Sequence, residues 1–475
     1  MTAAPLVHAG GGYFNGVKGA RASGRGGAFT ARADDLSAVA LNPAGIARLG
    51  TTTLQIGNRF SYNSVEFHRA PTLDWGHPDN GVPPYVEFET VHNETPWQLL
   101  EPMLGVASNF GLQDWGFALA IYPPAGASKV EFPADGPQRY MMIRRELVIL
   151  NYTATAAWKY QDLFGVGATL QWIHVPRLTY ELIIDATGRE SEVRPVWSEL
   201  DMHATTTGSD PFTFNAILGA WYRPHPNWEL GLAGQVIPSE IRTDSTLDIE
   251  QVGDIQGELE LRRGRERAND VTVTLPLPLT ARGGVRYRYL ERQRELFDVE
   301  LDVVYESWSR VERFTLDSNN LVGTLAGDTV PVGVITVEKQ WRDNVSVHLG
   351  GDYAAIPDLL TARGGVYYEM AVGEPAYANV DIPAAQQLGA ALGGSVMFGN
   401  SELALAYEYR HQPAVTIREG DARVYQQAPA SACEPPYDDP ATCHPAYLGQ
   451  PAPAANAGTH RAHSHMLTID WLYRF

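Results

Sequence analysis

The chain has 475 residues and a formal net charge of -19, from 36 Lys+Arg against 55 Asp+Glu. This acidic balance excludes a nucleic-acid-binding protein whose affinity comes from neutralising phosphates, whereas the length alone would predict two or three domains of about 100–200 residues. Charged residues make up 19%, below the roughly 25% of ordinary soluble proteins, and 45 Gly and 22 Tyr favour turns and interfacial aromatic rings. No run of about 18 apolar residues occurs, which excludes a helical membrane span.

The first residues bear on export. Residues 1–11 lack the basic stretch followed by an apolar stretch that marks an uncleaved secretory signal. We therefore expect either that the chain is not exported or that it starts at a mature or re-engineered terminus, and we favour the second.

Residues 1–50 differ from the rest because they show no strand-like alternation. Asp34 or Asp35 is expected to cap a short helix over residues 36–41, and Asn42-Pro43 is expected to end it. Residues 44–49 allow one further turn, and glycines allow backbone angles that other residues resist. The residues expected to shape this segment are Gly24, Gly27, Asp34, Asp35, Asn42, Pro43 and Ala44. For the polar members we favour such a structural role over ligand contact.

From about Thr51 onward the dominant pattern has a period of two. Over residues 297–305 the odd positions are apolar, and Asp298, Glu300 and Asp302 fall between them. Residues 401–410 and 467–475 alternate in the same way. Such alternation predicts strands with one apolar and one polar face.

Fourteen candidate strands follow from this pattern. They lie near residues 52–69, 101–110, 114–124, 141–159, 162–176, 212–223, 226–241, 271–290, 296–313, 337–353, 360–373, 386–399, 401–417 and 462–475. The connections after even-ranked candidates are short and those after odd-ranked candidates are long. A β-sandwich gives no reason for this alternation, whereas a transmembrane barrel has short periplasmic turns and long outer loops.

The sequence therefore predicts an all-β fold, a transmembrane antiparallel up-and-down β-barrel of about 14 strands. Closure removes the unpaired strand edges that lipid does not tolerate. We expect residues 51–475 to form the barrel with its long outer loops, and residues 1–50 to form a lumenal hatch, or plug, inside it.

Two groups of residues near the C-terminus could carry chemistry. Cys433 and Cys443 lie in a Pro/Ala-rich stretch and fit one small disulfide loop in an oxidising compartment, with two free thiols as the alternative. His460, His463 and His465 have a spacing that could hold a metal, but we favour histidines at the barrel rim and expect no metal site. The sequence contains neither a Gly-x-Ser-x-Gly elbow nor a Walker phosphate loop, so we expect no enzymatic activity.

Several segments together resemble a known family. They are residues 19–29 (GARASGRGGAF), 33–39 (ADDLSAV), 42–45 (NPAG), 302–309 (DVVYESWS), 341–350 (WRDNVSVHLG), 363–368 (RGGVYY) and 473–475 (YRF). The first three resemble the N-terminal hatch of the FadL/TodX outer-membrane transporters, and the others are similar to later landmarks of that family in the same order.

The resemblance implies a function. Family members pass hydrophobic compounds, such as long-chain fatty acids or aromatic hydrocarbons, across the bacterial outer membrane by passive diffusion, without a cofactor. They release the ligand sideways through a gap in the wall made by a kinked strand. The resemblance also implies contact with membrane lipid and lipopolysaccharide, and recognition of the C-terminal Phe475 by the barrel-assembly machinery.

The candidate site residues lie in the expected hatch. An arginine guanidinium can donate two parallel hydrogen bonds to a carboxylate, so we expect hatch arginines to brace against the lumenal acids Asp298, Glu300 and Asp302. These arginines are Arg21, Arg25, Arg32 and Arg48. Phe29 and Leu41 are expected to line the ligand path. The alternative is that the arginines are solvated charges without defined partners.

Two functions stay open at this point. In the first, the barrel transports hydrophobic compounds along an apolar path. In the second, a FadL-like barrel is a protein-binding scaffold or secretion partner, which the acidic inward face at residues 298–302 mildly favours. A general porin is a weaker third possibility. An apolar pocket in the lumen would favour transport, and a charged, collapsed lumen would favour the scaffold.

Overall fold

A computed structural model describes most of the chain. The described residues are 19–73, 85–124, 128–184, 201–252, 260–325, 328–332, 334–426 and 454–475. Cys433 and Cys443, and therefore the predicted disulfide, lie outside them.

Fourteen antiparallel strands form one closed barrel. They are β1 (Thr53–Arg69), β2 (Trp97–Ser108), β3 (Trp115–Tyr122), β4 (Arg144–Tyr160), β5 (Phe164–Ile184), β6 (Met202–His225), β7 (Trp228–Gln235 and Glu240–Gln251), β8 (Asp270–Pro276 and Thr280–Glu291), β9 (Arg294–Glu306 and Arg313–Asp317), β10 (Val334–Glu338 and Asn344–Ile356), β11 (Leu360–Glu369), β12 (Gln387–Phe398), β13 (Ser401–Ile417) and β14 (Gly458–Arg474). Strands β7 to β10 each consist of two segments.

The first and last strands close the barrel by pairing along their whole length, from Thr53 with Arg474 to Arg69 with Gly458. Turns of a few residues, such as Arg292-Gln293 between β8 and β9, join even-numbered to odd-numbered strands, and longer connections lie at the opposite end. Each predicted strand overlaps one of these fourteen, so the predicted fold is confirmed.

Shorter elements lie mainly in the connections. Short strands pair as Thr72–Leu73 with Tyr85–Val86, and a small sheet contains Glu260–Arg263, Glu266–Arg267, Val322–Leu325 and Asp328–Pro331. Val91–His92 and Lys129–Glu131 extend the wall. The helices are α1 (Ala20–Gly24), α2 (Ala38–Leu41) and 3-10 turns at Pro43–Arg48, Trp308–Arg310, Pro375–Tyr377 and Glu419–Asp421. In the part of the chain described, no helix is both long and apolar enough to span a membrane.

The two faces of the wall differ as the alternation predicts. On β9, Val299, Leu301 and Val303 point outward, whereas Asp298 and Glu300 are buried inside the barrel. The outward faces carry a broad band of exposed apolar side chains, as a lipid-facing surface requires.

The interior has three layers, which follow one another along β9. Residues 19–50 contact β9 at Glu295 to Asp302, near the short turns. A buried apolar core containing Trp308 and Trp341 comes next. Beyond it, Phe314 to Leu316 line an apolar cavity near the long connections.

Candidate functional site

Residues 19–50, which we call the N-terminal segment, are almost entirely buried inside the barrel. Gly27 has φ 87°, a left-handed conformation that favours glycine. Gly24 lies in α1, where an added Cβ would be 3.2 Å from Gly393 Cα in the wall. The segment therefore folds tightly and packs its backbone close to the strands.

The helix in this segment begins later than predicted. Ser37 is the residue before α2, which spans Ala38–Leu41, and it makes no side-chain cap. Asp35 Oδ1 instead accepts the Ser37 backbone N–H at 2.8 Å, so Asp35 shapes the turn that precedes the helix. Asp34 pairs with Arg21 and Arg32 and does not cap α2. The predicted further turn forms as the 3-10 helix at Pro43–Arg48.

Arg25 lies at the centre of an ion-pair cluster. Its guanidinium is fully buried, with Nη1 2.8 Å from Asp298 Oδ1 and 2.7 Å from Asp352 Oδ1, and Nη2 3.0 Å from Glu300 Oε2. Burial opposes its charge, but these three carboxylates outweigh burial and raise the pKa of Arg25. Two neighbouring barrel strands, β9 and β10, are thereby tied to one side chain.

Arg32 extends this cluster. Its Nη1 lies 3.1 Å from Asp298 Oδ2, 3.2 Å from Asp352 Oδ2 and 3.3 Å from Glu295 Oε1. Its Nε also pairs with Asp34 at 3.2 Å. Two arginines of the segment therefore share the carboxylates of β9 and β10.

Asp302, predicted as an arginine partner, binds backbone instead. Its Oδ2 accepts the N–H groups of Phe29 and Thr30 at 2.9 and 2.8 Å. Glu300 Oε1 likewise accepts the N–H of Ala31 at 2.6 Å. The inward acidic face of β9 therefore holds the segment by its main chain as well as by its arginines.

The other two arginines make longer contacts with the wall. Arg21 Nη2 lies 2.8 Å from Asp34 Oδ1, and its Nε lies 3.7 Å from Glu402 Oε1 on β13. Burial would raise the pKa of Asp34, but Arg21 and Arg32 outweigh it and hold that pKa well below its usual range. Asp34 is therefore charged at neutral pH.

Arg48 lies over the Trp221 ring at 4.0 Å, with Nη1 3.6 Å from Glu229 Oε2. The same Nη1 donates to the backbone oxygens of Ala31 and Arg32 at 2.8 and 2.7 Å. Burial lowers the pKa of Arg48 to about 10. All four predicted arginines thus lie within 4 Å of a barrel carboxylate.

The opposite side of the segment is apolar. One buried cluster joins its side chains to those of the consecutive strands β2, β3 and β4; it contains Ala33, Leu36, Ala38, Val39, Ile46, Ala47, Met103, Ala107, Ala118, Ala120, Tyr122 and Ala157. Most members are small, so the segment approaches the wall closely. Added Cβ atoms at the wall glycines Gly116 and Gly167 would lie 2.5 Å from Ile46 O and 2.6 Å from Ala44 N.

Asn42 joins the segment to itself and to the wall. Its Nδ2 donates to Thr30 O at 2.8 Å and to Ala220 O of β6 at 3.0 Å, while its Oδ1 accepts the Ala44 N–H at 3.2 Å. Pro43 occupies the first position of the following 3-10 helix. Ala44 O accepts the indole N–H of Trp221 at 3.1 Å.

Phe29 and Leu41 pack together with Ala22 in a buried cluster inside the segment. The Phe29 ring centre lies 5.8 Å from the guanidinium carbons of Arg21 and Arg25. The ring therefore contacts both arginines, and the expected role along the ligand path stays a prediction.

Within the described residues, the backbone pairing of the wall is interrupted between β2 and β3. Among the described residues, their backbone pairing is confined to Leu104–Ser108 with Phe117–Ile121. Pro123 and Pro124 follow β3, and proline cannot donate to a strand ladder. The outer part of β2 contacts this region through Gln98, whose Nε2 donates to Lys129 O at 2.8 Å. Leu36 of the N-terminal segment lies beside Gly105 at the inner side of the interruption.

A largely apolar cavity lies near the long connections; we call it the main cavity. Its walls are inward positions of β4 to β10, including Leu147, Leu178 and Phe314. Asp381 and Arg145 supply polar groups. None of these lining residues was predicted from the sequence, although apolar residues at inward positions such as Leu147 were a usable signal.

A second cavity, the side cavity, lies against β1, β13 and β14. Residues 373–385, which follow β11, form much of its lining. Ile382 lines both cavities. The connection between β11 and β12 therefore folds inward and divides the outer lumen.

The three C-terminal histidines do not all lie on the same face of β14. His460 packs on Phe67 with ring centres 4.6 Å apart, and its Nε2 lies 3.0 Å from Asn456 O. His463 and His465 lie on the other face, beside Tyr62. Within the described ranges, no group of three or more His, Cys, Asp or Glu side chains could hold a metal ion.

Comparison with known proteins identifies the family. A family model described as "Outer membrane protein transport protein (OMPP1/FadL/TodX)" matches residues 2–434. The chain belongs to this family. The predicted family and the predicted outer-membrane location are therefore confirmed. No curated protein matches the sequence.

Solved structures with the FadL/TodX fold resemble the chain over nearly its whole length. A Pseudomonas aeruginosa FadL homologue has a TM-score of 0.72 at 14% identity, covering 98% of this chain and 100% of that one. The P. putida toluene transporter TodX has 0.62 at 14% identity, with coverage of 98% and 99%. The Ralstonia pickettii toluene transporter TbuX has 0.58 at 14% identity, with coverage of 96% and 98%. At this identity the likeness shows the fold alone.

Proposed function

We propose that this FadL/TodX family member is a passive channel for hydrophobic compounds such as long-chain fatty acids or aromatic hydrocarbons. The observation that carries the proposal is the main cavity, an apolar space lined by seven strands inside a membrane barrel. An apolar lining with a few polar groups suits a small hydrophobic ligand. Diffusion down a gradient requires neither catalysis nor a cofactor.

We propose that residues 1–50 are a hatch, with its described part, the N-terminal segment, filling the lumen below the cavity. The segment is held by Arg25 and Arg32 on one side and by the alanine-rich cluster on the other. These arginines are bracing residues in the proposal, and Gly24, Gly27, Asp34, Asp35, Asn42, Pro43 and Ala44 shape the segment. A ligand descending from the main cavity meets this obstacle.

We propose that the ligand leaves sideways between β2 and β3. The interruption after Ile121 and the apolar residues Leu36, Met103 and Tyr122 support an exit that a hydrophobic compound can pass without entering water. The lipid-facing wall lies directly outside it.

The scaffold alternative rested on the acidic inward face. Both acids are buried; Arg25 pairs with Asp298 and Glu300, and Arg32 also pairs with Asp298, which removes that support for a polar pore as well. The apolar cavity favours the transporter.

Two partners follow from this location. We propose that the outward apolar band contacts membrane lipid and lipopolysaccharide. We also propose that the barrel-assembly machinery recognises Phe475, whose side chain is exposed and whose N–H donates to Thr52 O at 2.9 Å.

Uptake into proteoliposomes tests the function and the exit. Ala120 of β3 and Ala391 of β12 are equally buried inward-facing alanines, with 4% exposure each, but only Ala120 adjoins the interruption. Ala120→Phe should reduce uptake of dodecanoate and toluene about tenfold or more, while Ala391→Phe should leave it near the wild-type rate. Equal uptake rates for the two variants would contradict a lateral exit between β2 and β3. Absence of uptake by the wild type would contradict the transport function.

A further inference from the structure

The main and side cavities meet at the connection between β11 and β12. Asp381 lines the main cavity, Lys339 lines the side cavity, and Ile382 lines both. Residues 379–383, which we call the partition, therefore separate the two spaces. A ligand that moves from one cavity to the other must displace the partition.

A buried ion pair holds the partition inward. Lys339 Nζ lies 2.6 Å from Asp381 Oδ2 and donates to Oδ1 at 2.7 Å, and both side chains are buried. Tyr180 OH donates to Asp381 Oδ2 at 3.4 Å. Lys339 Nζ also lies 5.0 Å from the centre of the Phe314 ring, which belongs to the wall of the main cavity.

The flanks of the partition are fixed separately. Asn456 Nδ2 donates to the backbone oxygens of Ala376 and Ala378, each at 2.9 Å. Gln412 Nε2 donates to those of Pro383 and Ala385 at 3.2 and 3.0 Å. Because these bonds do not involve Asp381, the carboxylate can leave Lys339 while the flanks stay attached to the barrel.

A buried ammonium group requires an anion beside it, since an unpaired buried charge is strongly destabilising. A second carboxylate that enters the main cavity could satisfy Lys339 in place of Asp381. The released Asp381 would remain in a cavity that also contains Arg145, so neither acid loses a cationic neighbour.

We propose that Asp381 is an internal counter-ion that keeps the partition closed until a ligand carboxylate takes its place on Lys339. This role rests on the proposed transport function. It adds that a carboxylate ligand opens the partition when it replaces Asp381 beside Lys339. A neutral ligand of the same shape has no group to exchange, so it binds beside a closed partition.

Binding of a matched ligand pair to the full-length protein in detergent tests the proposal. Dodecanoate carries the carboxylate, and dodecanol has the same chain without it. Asp381→Asn removes the internal competitor and should tighten dodecanoate binding about tenfold, while dodecanol affinity stays within about twofold. Lys339→Gln should weaken dodecanoate about tenfold and again leave dodecanol unchanged.

The contrary results are distinct. Unchanged or weaker dodecanoate binding by Asp381→Asn, or equal dodecanoate binding by Lys339→Gln and the wild type, overturns the exchange. If one single variant does not fold, the double variant D381N/K339Q removes both charges together and should bind dodecanol normally but dodecanoate weakly. Wild-type dodecanoate affinity in the double variant also overturns the exchange. If the wild type binds neither compound, the proposed function fails instead.

Discussion

The N-terminal segment meets the barrel wall through two chemically different sides. Toward β9 and β10, Arg25 and Arg32 enter a buried set of carboxylates at hydrogen-bonding distances. Toward β2, β3 and β4, the contacts are apolar and most of the side chains are alanines. The first side is directional and charged, and the second is a shallow, non-directional surface.

The difference indicates which side can move. Removing one partner of a buried ion pair costs about 3–5 kcal/mol, because the other charge is left buried. Apolar contacts between small side chains lose far less when they slide, since they lack directional bonds. The interruption between β2 and β3 lies on the apolar side. We therefore expect the segment to hinge on the ionic side and to yield where the wall is open.

The largest effect should come from breaking the ionic side. Asp298 and Asp352 keep Arg32 when Arg25 is replaced, but Arg25→Ala removes the ion-pair partner of the buried Glu300 among the described residues. We therefore expect the docked segment to lose about 3–5 kcal/mol. The barrel wall should persist, because strand pairing closes it independently. Amide hydrogen exchange over residues 20–48 should accelerate, and leakage of small polar solutes should rise.

Arg294→Ala is the matched control, since Arg294 pairs with Asp358 at an exposed position. An exposed pair contributes little, so exchange in the segment should match the wild type. If both variants behave alike, the ionic side does not anchor the segment.

An intermediate effect should come from wedging the apolar side. A Cβ at Gly167 would lie 2.6 Å from Ala44 N, so Gly167→Ala forces the 3-10 helix from the wall at a cost of about 1–3 kcal/mol. At Gly364 an added Cβ would meet only Leu392 Cδ2, at 3.8 Å. Gly364→Ala should therefore be neutral. Faster exchange over residues 43–48, with residues 25–32 still protected, would show that the two sides separate independently.

The strands were predictable because they obey a local rule. A period of two follows from burying one face of a strand, and the regular change of connection length follows from the two ends of a barrel. The same parity placed Asp298 and Glu300 inside, so the encounter with Arg25 could be anticipated from charge. Local sequence patterns were therefore sufficient to predict the strands and the inward direction of these acids.

Other partners required the closed structure. Asp352 joins the Arg25 cluster because β10 lies beside β9, and Glu402 reaches Arg21 from β13 on a distant part of the sequence. The main cavity collects residues from seven strands, so no window of sequence contains it. Asp381 lies in a connection without periodicity, where no rule gives the direction of a side chain.

The smallest effect should come from pH, through Asp35 in the N-terminal segment. Burial raises the pKa of Asp35, opposed by Arg21 and by the hydrogen bonds from Ser37, while Asp34 adds to the rise. Asp470 of β14, which accepts the Ala20 N–H at 2.6 Å, adds a further buried acid nearby. Docking therefore favours the protonated form of Asp35.

The sign follows from proton linkage. In an undocked segment Asp35 has its ordinary pKa of 3.8. Its contribution to docking is therefore complete below that pH, and it is lost as the pH rises through the raised pKa of the docked state. Asp34 has the opposite effect on docking. Because its pKa is lowered in the docked segment, its protonation weakens docking, and this happens only in acid. Asp35→Asn keeps the Oδ1 acceptor for Ser37 and removes the titration. Exchange over residues 20–48, corrected for intrinsic rates, should then no longer accelerate toward neutral pH, and an unaltered pH slope in this variant would assign the dependence to another group.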